Sequence, residues 1–292
     1  MLELVAAWAG RPVHEVPIKG GLSHRVSRVE CEDGRQWVLR VLDPAVCAAG
    51  LGIPLEQEIA NTELAARTGV GPSIVASWPE YGTLLLEYVE GVTLDAAGVA
   101  ANIEGIAKAC KVLHAGPRFV NDFSIFDKLR QFREICRQYG LSKPDGYDEV
   151  LPAVEEIERA MPRVPTVPCH NDLLAGNFIA TADGIRIVDY QLSGNNDPAF
   201  ELGDIAAEAD FDPDRTARLA RAYGIDEARV RLFLIMSNVT WTLWFSVHHG
   251  LMARQGAFDY AAEAAEKFAR AVRDLDDPSF GQLIDQTRRH PP

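Results

Sequence analysis

The sequence HNDLLAGNFIATADGIRIVDYQ, residues 170–191, predicts a polar loop followed by a β-hairpin. NFIA and IRIVDY are apolar runs rich in β-branched residues, and the Asp-Gly pair between them is typical of a tight turn. A hairpin of this length would fold Asp189 back beside Asn177 and Asp172. Two carboxylates and a carboxamide would then converge, and such oxygen ligands suit Mg²⁺ when it also holds nucleotide phosphates.

The order of these residues is typical of the catalytic segment of a protein-kinase-like phosphotransferase. That pattern predicts that Asp172 orients or deprotonates the substrate hydroxyl and that Asn177 and Asp189 bind the metal. His170 would then fix the loop rather than act as a general base. Asn-Asp and Asp-Gly pairs are common in ordinary turns, so the prediction depends on the ordered set and not on any one pair.

The composition is that of a globular protein with room for two lobes. The chain has 292 residues, of which 47% are hydrophobic and 24% charged, as in ordinary globular domains. The net charge of −13 argues against a nucleic-acid partner, which needs clustered Lys and Arg. It is compatible with a cationic substrate.

The cysteines and the apolar segments predict a cytoplasmic protein without membrane insertion. The five cysteines are odd in number and scattered, which is typical of reduced thiols rather than disulfides or a zinc site. The N-terminus, MLELVAAWAG, lacks the basic region of a signal peptide and is predicted to form a short helix. Residues 232–247 are apolar but too few to span a bilayer, so they are predicted to form a buried helix. The sequence does not determine the oligomeric state.

The pattern of elements changes near Gly91. Strands are predicted at residues 13–19, 26–31, 36–42, 74–77 and 83–89, with a helix at 55–68. Helices are predicted beyond it, at 94–115, 122–140, 148–160, 201–209, 213–223, 226–249 and 256–274. We therefore predict an α+β, two-lobed, protein-kinase-like fold. A small antiparallel-sheet lobe, residues 1–90, would bind nucleotide, and a larger, mainly helical lobe, residues 91–292, would hold the catalytic and substrate-binding residues.

Several residues of the first lobe are candidates for nucleotide binding. Arg40 lies in the third strand, VLRV, where a kinase needs a cation for the phosphates, and its planar fork suits phosphate. Glu58, on the following helix, is the natural partner, with Glu56 and Glu63 as competitors. The turn GGLSH offers Gly21 and Ser23 to the phosphates, because glycine lets the backbone approach closely.

The end of the fifth strand is the candidate hinge. LLLEYV runs into Glu90 and Gly91, and the backbone groups near Glu87 and Val89 are predicted to contact the adenine. ATP and Mg²⁺ are thus the expected cofactors.

The chain resembles the choline/ethanolamine kinases, within the broader aminoglycoside-phosphotransferase-like group. VLRV resembles that family's VLLR strand, and EIANTELAARTGVGP, residues 58–72, resembles its helix and GxGP element. HNDLLAGN and IVDYQLSGNNDPAFELGDIAAE, residues 187–208, resemble its HNDxxxxN and IDFEYxxxNxxxFDIxNHFxE motifs. WTLW and FDYAAEAAEKF, residues 258–268, resemble the segments that supply an aromatic box for a quaternary ammonium group.

The resemblance implies a substrate site for choline. A trimethylammonium head cannot donate N–H hydrogen bonds, so ring faces and nearby negative charge must bind it. Trp241 and Trp244 are three residues apart and share a helical face, and Tyr260 could form another wall. Glu208 could supply the counter-charge. Two such tryptophans are otherwise more often core residues, so this assignment depends on the resemblance of the flanking segments.

The chain departs from the family pattern at positions that bear on the substrate. Gln191 stands where the family has Glu after the metal-binding pair, Glu263 replaces a box-forming Tyr, and His24 replaces the nucleotide-loop Asn. A less enclosed box could accept ethanolamine or another amino alcohol.

Other functions stay open at this stage. The same scaffold phosphorylates thiamine, aminoglycosides, homoserine and sugars. A nucleotide-binding pseudokinase and a choline-binding protein without transfer activity belong to different classes, and the intact set of Asp172, Asn177 and Asp189 argues against both.

Overall fold

The computed structural model describes residues 1–18, 23–252 and 258–289. The strands are β1 Val13–Pro17, β2 Arg25–Cys31, β3 Gln36–Val41, β4 Ile74–Trp78, β5 Thr83–Glu87, β6 Val92–Thr93, β7 Val167–Cys169, β8 Phe178–Thr181, β9 Gly184–Ile187 and β10 Gly194–Asn196. The helices are α1 Leu2–Ala9, α2 Pro44–Ala48, α3 Leu55–Ala66, α4 Ala96–Ala101, α5 Ile103–His114, α6 Ile125–Tyr139, α7 Leu151–Ala160, α8 Pro198–Glu208, α9 Pro213–Tyr223, α10 Glu227–Leu251, α11 Tyr260–Leu275 and α12 Phe280–Arg289.

The N-terminal part is an antiparallel sheet of order β1-β2-β3-β5-β4. Its strands alternate between buried and more exposed positions, as expected for a sheet with one face on a core. Register places Arg40 of β3 opposite Val26 of β2 and Leu84 of β5. The central position of β3 therefore fixes Arg40 between two neighbouring strands.

The C-terminal part is mainly helical and is built around α10. Of its most apolar window, 94% is buried, although its length and composition would also suit a membrane span. It packs against α6, α8 and α11. The prediction of a buried helix at residues 232–247 is therefore confirmed, and the two-lobed α+β arrangement follows. The division at residue 90 stays a prediction.

The passage from the sheet to the helical part depends on Gly91. A Cβ at this position would collide with the backbone oxygen of Ala180 in β8. Only glycine therefore lets the chain leave β5 and pair as β6 with β8.

The catalytic hairpin forms, but with different limits. Thr181 pairs with Gly184 and Phe178 with Ile187, so the loop is Ala182 and Asp183 and not the Asp-Gly pair. The second strand was predicted to continue through Tyr190. It ends at Ile187 because Asp189 adopts a left-handed backbone with φ of 73°, which interrupts strand geometry.

Other local predictions need correction. The helix predicted at residues 94–115 is two helices, broken at Asn102, whose side chain donates to the carbonyl of Gly98. The sequence analysis missed α2, α12 and the short pairing of β7 with β10. Such short elements are stabilised by packing rather than by a strong local pattern.

Candidate active site

The loop that carries Asp172 is anchored by buried carboxylates on α8. Glu201 accepts hydrogen bonds from the backbone N–H groups of His170 and Asn171, both at 2.7 Å. Asp204 accepts one from the N–H of Leu173 at 2.8 Å. Both sides of Asp172 are therefore tied to one helix, and Asn171 takes a left-handed backbone with φ of 66° between them. The roles of Glu201 and Asp204 were not predicted from the sequence.

His170 lies beneath the loop as a neutral ring. Its Nε2 lies 2.9 Å from the carbonyl oxygen of Val188, and its Nδ1 lies 3.3 Å from the backbone nitrogen of Asp172. This geometry requires Nε2–H to donate and Nδ1 to accept. Burial lowers the pKa of His170, which favours the neutral form. The arrangement suits the scaffolding role predicted for this residue.

The predicted metal ligands lie beside Asp172. Asn177 ends a short 3₁₀ turn, Ala175–Asn177, and its Nδ2 donates to the carbonyl of Asp172 at 2.8 Å. Its Oδ1 is therefore the amide atom suited to a cation. Asp189 lies 2.7 Å from the guanidinium of Arg40. Burial opposes ionisation of Asp189, but Arg40 lowers its pKa. The donors are hard oxygens, and they fit Mg²⁺.

The nucleotide side is centred on a buried ion pair. Arg40 Nε lies 2.9 Å from Glu58 Oε1, and the two side chains are each 4% exposed. Glu56 and Glu63 are exposed, so the structure selects Glu58 among the three predicted partners. Burial raises the pKa of Glu58 against the effect of Arg40. A guanidinium held by two carboxylates is oriented before any phosphate arrives.

The loop over the nucleotide is described only in part. Gly21 lies outside the described residues. Ser23 lines the same cavity as Arg40, and so does His24, whose Nδ1 accepts from the backbone N–H of Asp43 at 3.1 Å. Burial, together with the charge of Arg40, lowers the pKa of His24 to about 4. His24 therefore adds a neutral polar group, as the family's Asn would.

The predicted hinge residues lie at the end of β5. The Glu87 carboxylate accepts from the N–H of Ser73 at 3.0 Å and pairs with Arg186 at 3.1 Å. Val89 is buried. Because the side chain of Glu87 is engaged, any contact with a nucleotide would come from its backbone. The adenine contacts of Glu87 and Val89 stay predictions.

The two tryptophans of the predicted box line the same cavity. Trp241 donates its indole N–H to Asp204 at 2.7 Å, and Trp244 donates its own to the carbonyl of Leu51 at 3.2 Å. Phe245, which the sequence analysis did not select, lies beside Trp244 with ring centroids 5.0 Å apart. These hydrogen bonds fix both indole rings.

Tyr260 does not line this cavity. Its ring stacks on His248, with centroids 4.2 Å apart and planes at 9°, and it packs behind Phe245. Phe245 is among the residues that line the cavity, whereas Tyr260 packs against Phe245 and His248.

Glu208 lines the cavity but has a protein partner. Lys267 Nζ, on α11, donates to Glu208 Oε1 at 2.6 Å, and Lys267 is 2% exposed. The counter-charge predicted for a substrate is therefore balanced within the protein. The signal available in the sequence was a lysine seven residues after Tyr260, on the apolar face of an amphipathic helix.

Carboxylates crowd around the catalytic residue. Burial raises the pKa of Asp172 well above its usual range, and the charges of Asp204 and Glu208 add to this effect. Burial likewise raises the pKa of Asp204 to about 7, with Glu208 contributing. The ionised form of Asp172 is then a stronger base than an exposed aspartate.

One cavity of about 210 Å³ joins the two sets of predicted residues. Its lining comprises Ser23, His24, Arg40, Asp172, Leu174, Asn177, Asp189, Gln191, Leu192, Glu208, Trp241, Trp244 and Phe245. The groups suited to phosphate and metal and the aromatic groups suited to an organic cation therefore face a common space.

The arrangement matches a known family. A model of the phosphotransferase enzyme family matches residues 14–233. The chain belongs to the phosphotransferase enzyme family. Membership confirms the phosphotransferase class predicted from the ordered set Asp172, Asn177 and Asp189, and it confirms the resemblance to the aminoglycoside-phosphotransferase-like group.

Curated relatives include small-molecule kinases. Protein LicA of Haemophilus influenzae is 24% identical over 292 residues, covering 90% of this chain and 81% of that protein. LicA of strain Rd is 28% identical over 176 residues, and ethanolamine kinase 2 of Mus musculus is 26% identical over 221. These two alignments span only 63% and 54% of the respective relatives.

Solved structures share the fold. A choline/ethanolamine kinase family protein from Mesorhizobium loti superposes with a TM-score of 0.83 at 26% identity, covering 99% of this chain and 97% of that chain. Choline kinase LicA from Streptococcus pneumoniae gives 0.78 at 21% identity, covering 94% and 96%. Aminoglycoside phosphotransferase APH(4)-Ia gives 0.66 at 17%, covering 93% and 97%. The predicted kinase-like fold is confirmed.

Proposed function

We propose that the chain is an ATP-dependent kinase that phosphorylates the hydroxyl group of choline to give phosphocholine. The observation that carries the proposal is the single cavity whose lining includes Arg40, Asp172 and Asp189 together with Trp241 and Trp244. A reaction between a nucleotide phosphate and an organic cation uses both groups of residues.

In the proposed reaction the acceptor hydroxyl oxygen attacks the γ-phosphorus of ATP. The bond from that phosphorus to the bridging oxygen breaks, ADP leaves, and the hydroxyl proton passes to the carboxylate of Asp172. Arg40, already oriented by Glu58, would bind the phosphates. Asn177 and Asp189 would hold Mg²⁺, which supplies neutralisation of charge on the transferred group.

The pairing of Glu208 with Lys267 favours a quaternary amine over a polycation as the acceptor. Lys267 neutralises Glu208, so that carboxylate offers less attraction to a cation than sequence alone implied. Ring faces of Trp244 and Phe245 would then carry much of the recognition, as suits a trimethylammonium group. A structural relative from Streptococcus pneumoniae is a choline kinase, which supports this assignment.

Ethanolamine is the second candidate acceptor. Relatives include ethanolamine kinase 2 and a thiamine kinase of Salmonella typhimurium. Phe245 takes the place of Tyr260 as the third aromatic residue of the lining, so the box differs from the predicted one, which leaves ethanolamine as an alternative to choline. A primary ammonium would also find acceptors in Asp172 and Glu208.

A pseudokinase is less well supported than an active enzyme. The buried pair of Arg40 and Glu58 and the predicted set Asp172, Asn177 and Asp189, which line one cavity with Arg40, support an active enzyme. The described cysteines are unpaired thiols, which agrees with the cytoplasmic location that we propose.

The test is Mg²⁺-dependent release of ADP from ATP with choline, ethanolamine, thiamine, homoserine and kanamycin, each compared with Asp172→Asn. We expect turnover with choline and almost none in the variant, which should still bind nucleotide. Turnover with another acceptor alone would retain the kinase and reject choline. Tight ATP binding without turnover on any acceptor would favour the pseudokinase.

A further inference from the structure

The segment of residues 50–53, between α2 and α3, is hydrogen-bonded to the helical part of the protein. The carbonyl of Leu51 accepts from the indole N–H of Trp244 at 3.2 Å. The carbonyl of Gly50 accepts from Lys128 Nζ, also at 3.2 Å. The Leu51 side chain is completely buried in the large hydrophobic core. This short segment is therefore fixed to α6 and α10, although it leads directly into the helix of Glu58.

Gln191 bonds to this segment and to the nucleotide side at once. Its Oε1 accepts from Arg40 Nη2 at 3.2 Å, and its Nε2 donates to the carbonyl of Leu51 at 3.4 Å. Its backbone carbonyl accepts from the N–H of Ile53 at 3.1 Å. A carboxamide has both a donor and an acceptor, so one side chain can serve a cation and a carbonyl together. A glutamate at this position could not donate to Leu51.

The network is continuous and closely packed. The carbonyl of Leu51 receives both Gln191 and Trp244, so the path runs from Arg40 through Gln191 and Leu51 to Trp244. A Cβ added to Gly52 would lie 3.3 Å from Cγ and from Nε2 of Gln191. The backbone at Gly52 thus lies close to the amide, and in a closely packed interior a displacement at Arg40 is accommodated by its neighbours.

We propose that Gln191 is a positioning residue that couples Arg40 to Trp244. Bound phosphates that move Arg40 also change its hydrogen bond to Gln191. This changes the hydrogen bond from Gln191 to Leu51, and with it the position of the Trp244 ring. By linkage, an acceptor that rests on Trp244 changes the affinity for nucleotide by the same factor. The identity of the acceptor rests on the proposed function, whereas the path from Arg40 to Trp244 does not.

The first experiment needs no acceptor. The indole N–H groups of the five tryptophans are observed by NMR in the isotope-labelled protein during titration with ADP and Mg²⁺, and Trp244→Phe assigns the relevant signal. We expect the Trp244 signal to shift in the wild-type protein and to lose most of that shift in Gln191→Met, which keeps the side-chain volume without the amide.

Two controls separate coupling from general damage. Trp241 donates to Asp204 within the helical part, so its signal should respond equally in both proteins. Gln138→Met makes the same change at an exposed position of α6 and should preserve the Trp244 shift. The proposal is wrong if nucleotide leaves the wild-type Trp244 signal unmoved, or if Gln191→Met retains the full shift.

The second experiment measures the coupling itself. The Kd of choline is determined with and without a non-hydrolysable ATP analogue, and we expect the two values to differ about fivefold or more in the wild type. The ratio should approach one in Gln191→Met and persist in Gln138→Met. A ratio unchanged by Gln191→Met would overturn the coupling.

The two proposals can fail separately. If choline does not bind but the Trp244 signal responds to nucleotide through Gln191, the acceptor is wrong and the coupling is supported. If choline is phosphorylated while the Trp244 signal ignores Gln191, the function is supported and the coupling is rejected.

Discussion

The ammonium group of Lys267 lies 2.6 Å from the carboxylate of Glu208, a residue that lines the cavity. Lys267 is 2% exposed, so this cation belongs to the interior and not to a solvated surface. The pair joins α11 to the last residue of α8, the helix whose other carboxylates hold the catalytic loop. The pair therefore neutralises Glu208 in the cavity and also holds α11 against α8.

Loss of Lys267 should destabilise the protein strongly. Lys267→Met leaves Glu208, whose side chain is 15% exposed, without its cation, and removal of one partner of a largely buried pair costs about 3 kcal/mol. The double variant with Glu208→Gln should recover most of this loss. Urea unfolding measures both. Lys143→Met removes a more exposed pair with Asp148 and should cost less than ~1 kcal/mol. Equal costs for Lys267→Met and Lys143→Met would contradict the prediction.

The rate should fall with decreasing pH at a point set by Asp172. Burial and neighbouring carboxylates raise its pKa, and only the ionised form accepts a proton. Activity is therefore lost as the pH falls through this raised pKa, above the usual 3.8. Glu208→Gln removes a negative charge, which lowers the pKa of Asp172 and shifts the acidic limb of kcat/KM to lower pH. Exposed Glu149→Gln should leave the limb in place, and a shift to higher pH in Glu208→Gln would refute the assignment.

Trp244 should matter more for the acceptor than for ATP. Trp244→Ala removes one aromatic wall, worth about 1–2 kcal/mol in cation–π attraction, or roughly a tenfold rise in acceptor KM. A smaller effect on the KM for ATP follows from its bond to Leu51. Steady-state kinetics with each substrate varied in turn gives both values. Trp8→Ala, at the largely exposed Trp8 of α1, is the matched control. An unchanged acceptor KM would show that Trp244 is only a core residue.

Glu201 should be needed for an ordered catalytic loop. Glu201→Gln leaves one acceptor oxygen for two backbone donors, those of His170 and Asn171, and an unsatisfied buried group costs about 1–3 kcal/mol. We expect a lower unfolding temperature and a reduced kcat, with little change in the KM for ATP. The same exposed variant, Glu149→Gln, provides the comparison. A Glu201→Gln enzyme with wild-type kcat would show that other contacts position Asp172.

Sequence patterns predicted the β8–β9 hairpin, but they did not predict where it ends or where Tyr260 lies. The hairpin of β8 and β9 was expected because its runs of apolar residues and its turn lie within a few positions of one another. Its premature end was not expected, since the left-handed backbone of Asp189 occurs at a residue whose carboxylate pairs with Arg40 in a distant strand, and such a contact leaves no signal in the neighbouring sequence. Tyr260 was misplaced for a related reason, because spacing on a helix gives a face but not the depth at which that face packs.

The reacting groups are inherent in the local sequence. Asp172, Asn177 and Asp189 lie within one loop and hairpin, so short-range geometry brings them near one another, and contacts with α8 and Arg40 then fix the loop. The partners of these groups depend on packing between distant segments. Arg40 meets Gln191 across 151 positions, Trp244 meets Leu51 across 193, and Lys267 meets Glu208 across 59. Such contacts leave no periodic or turn signal, because they form only when the sheet and the helices have packed together.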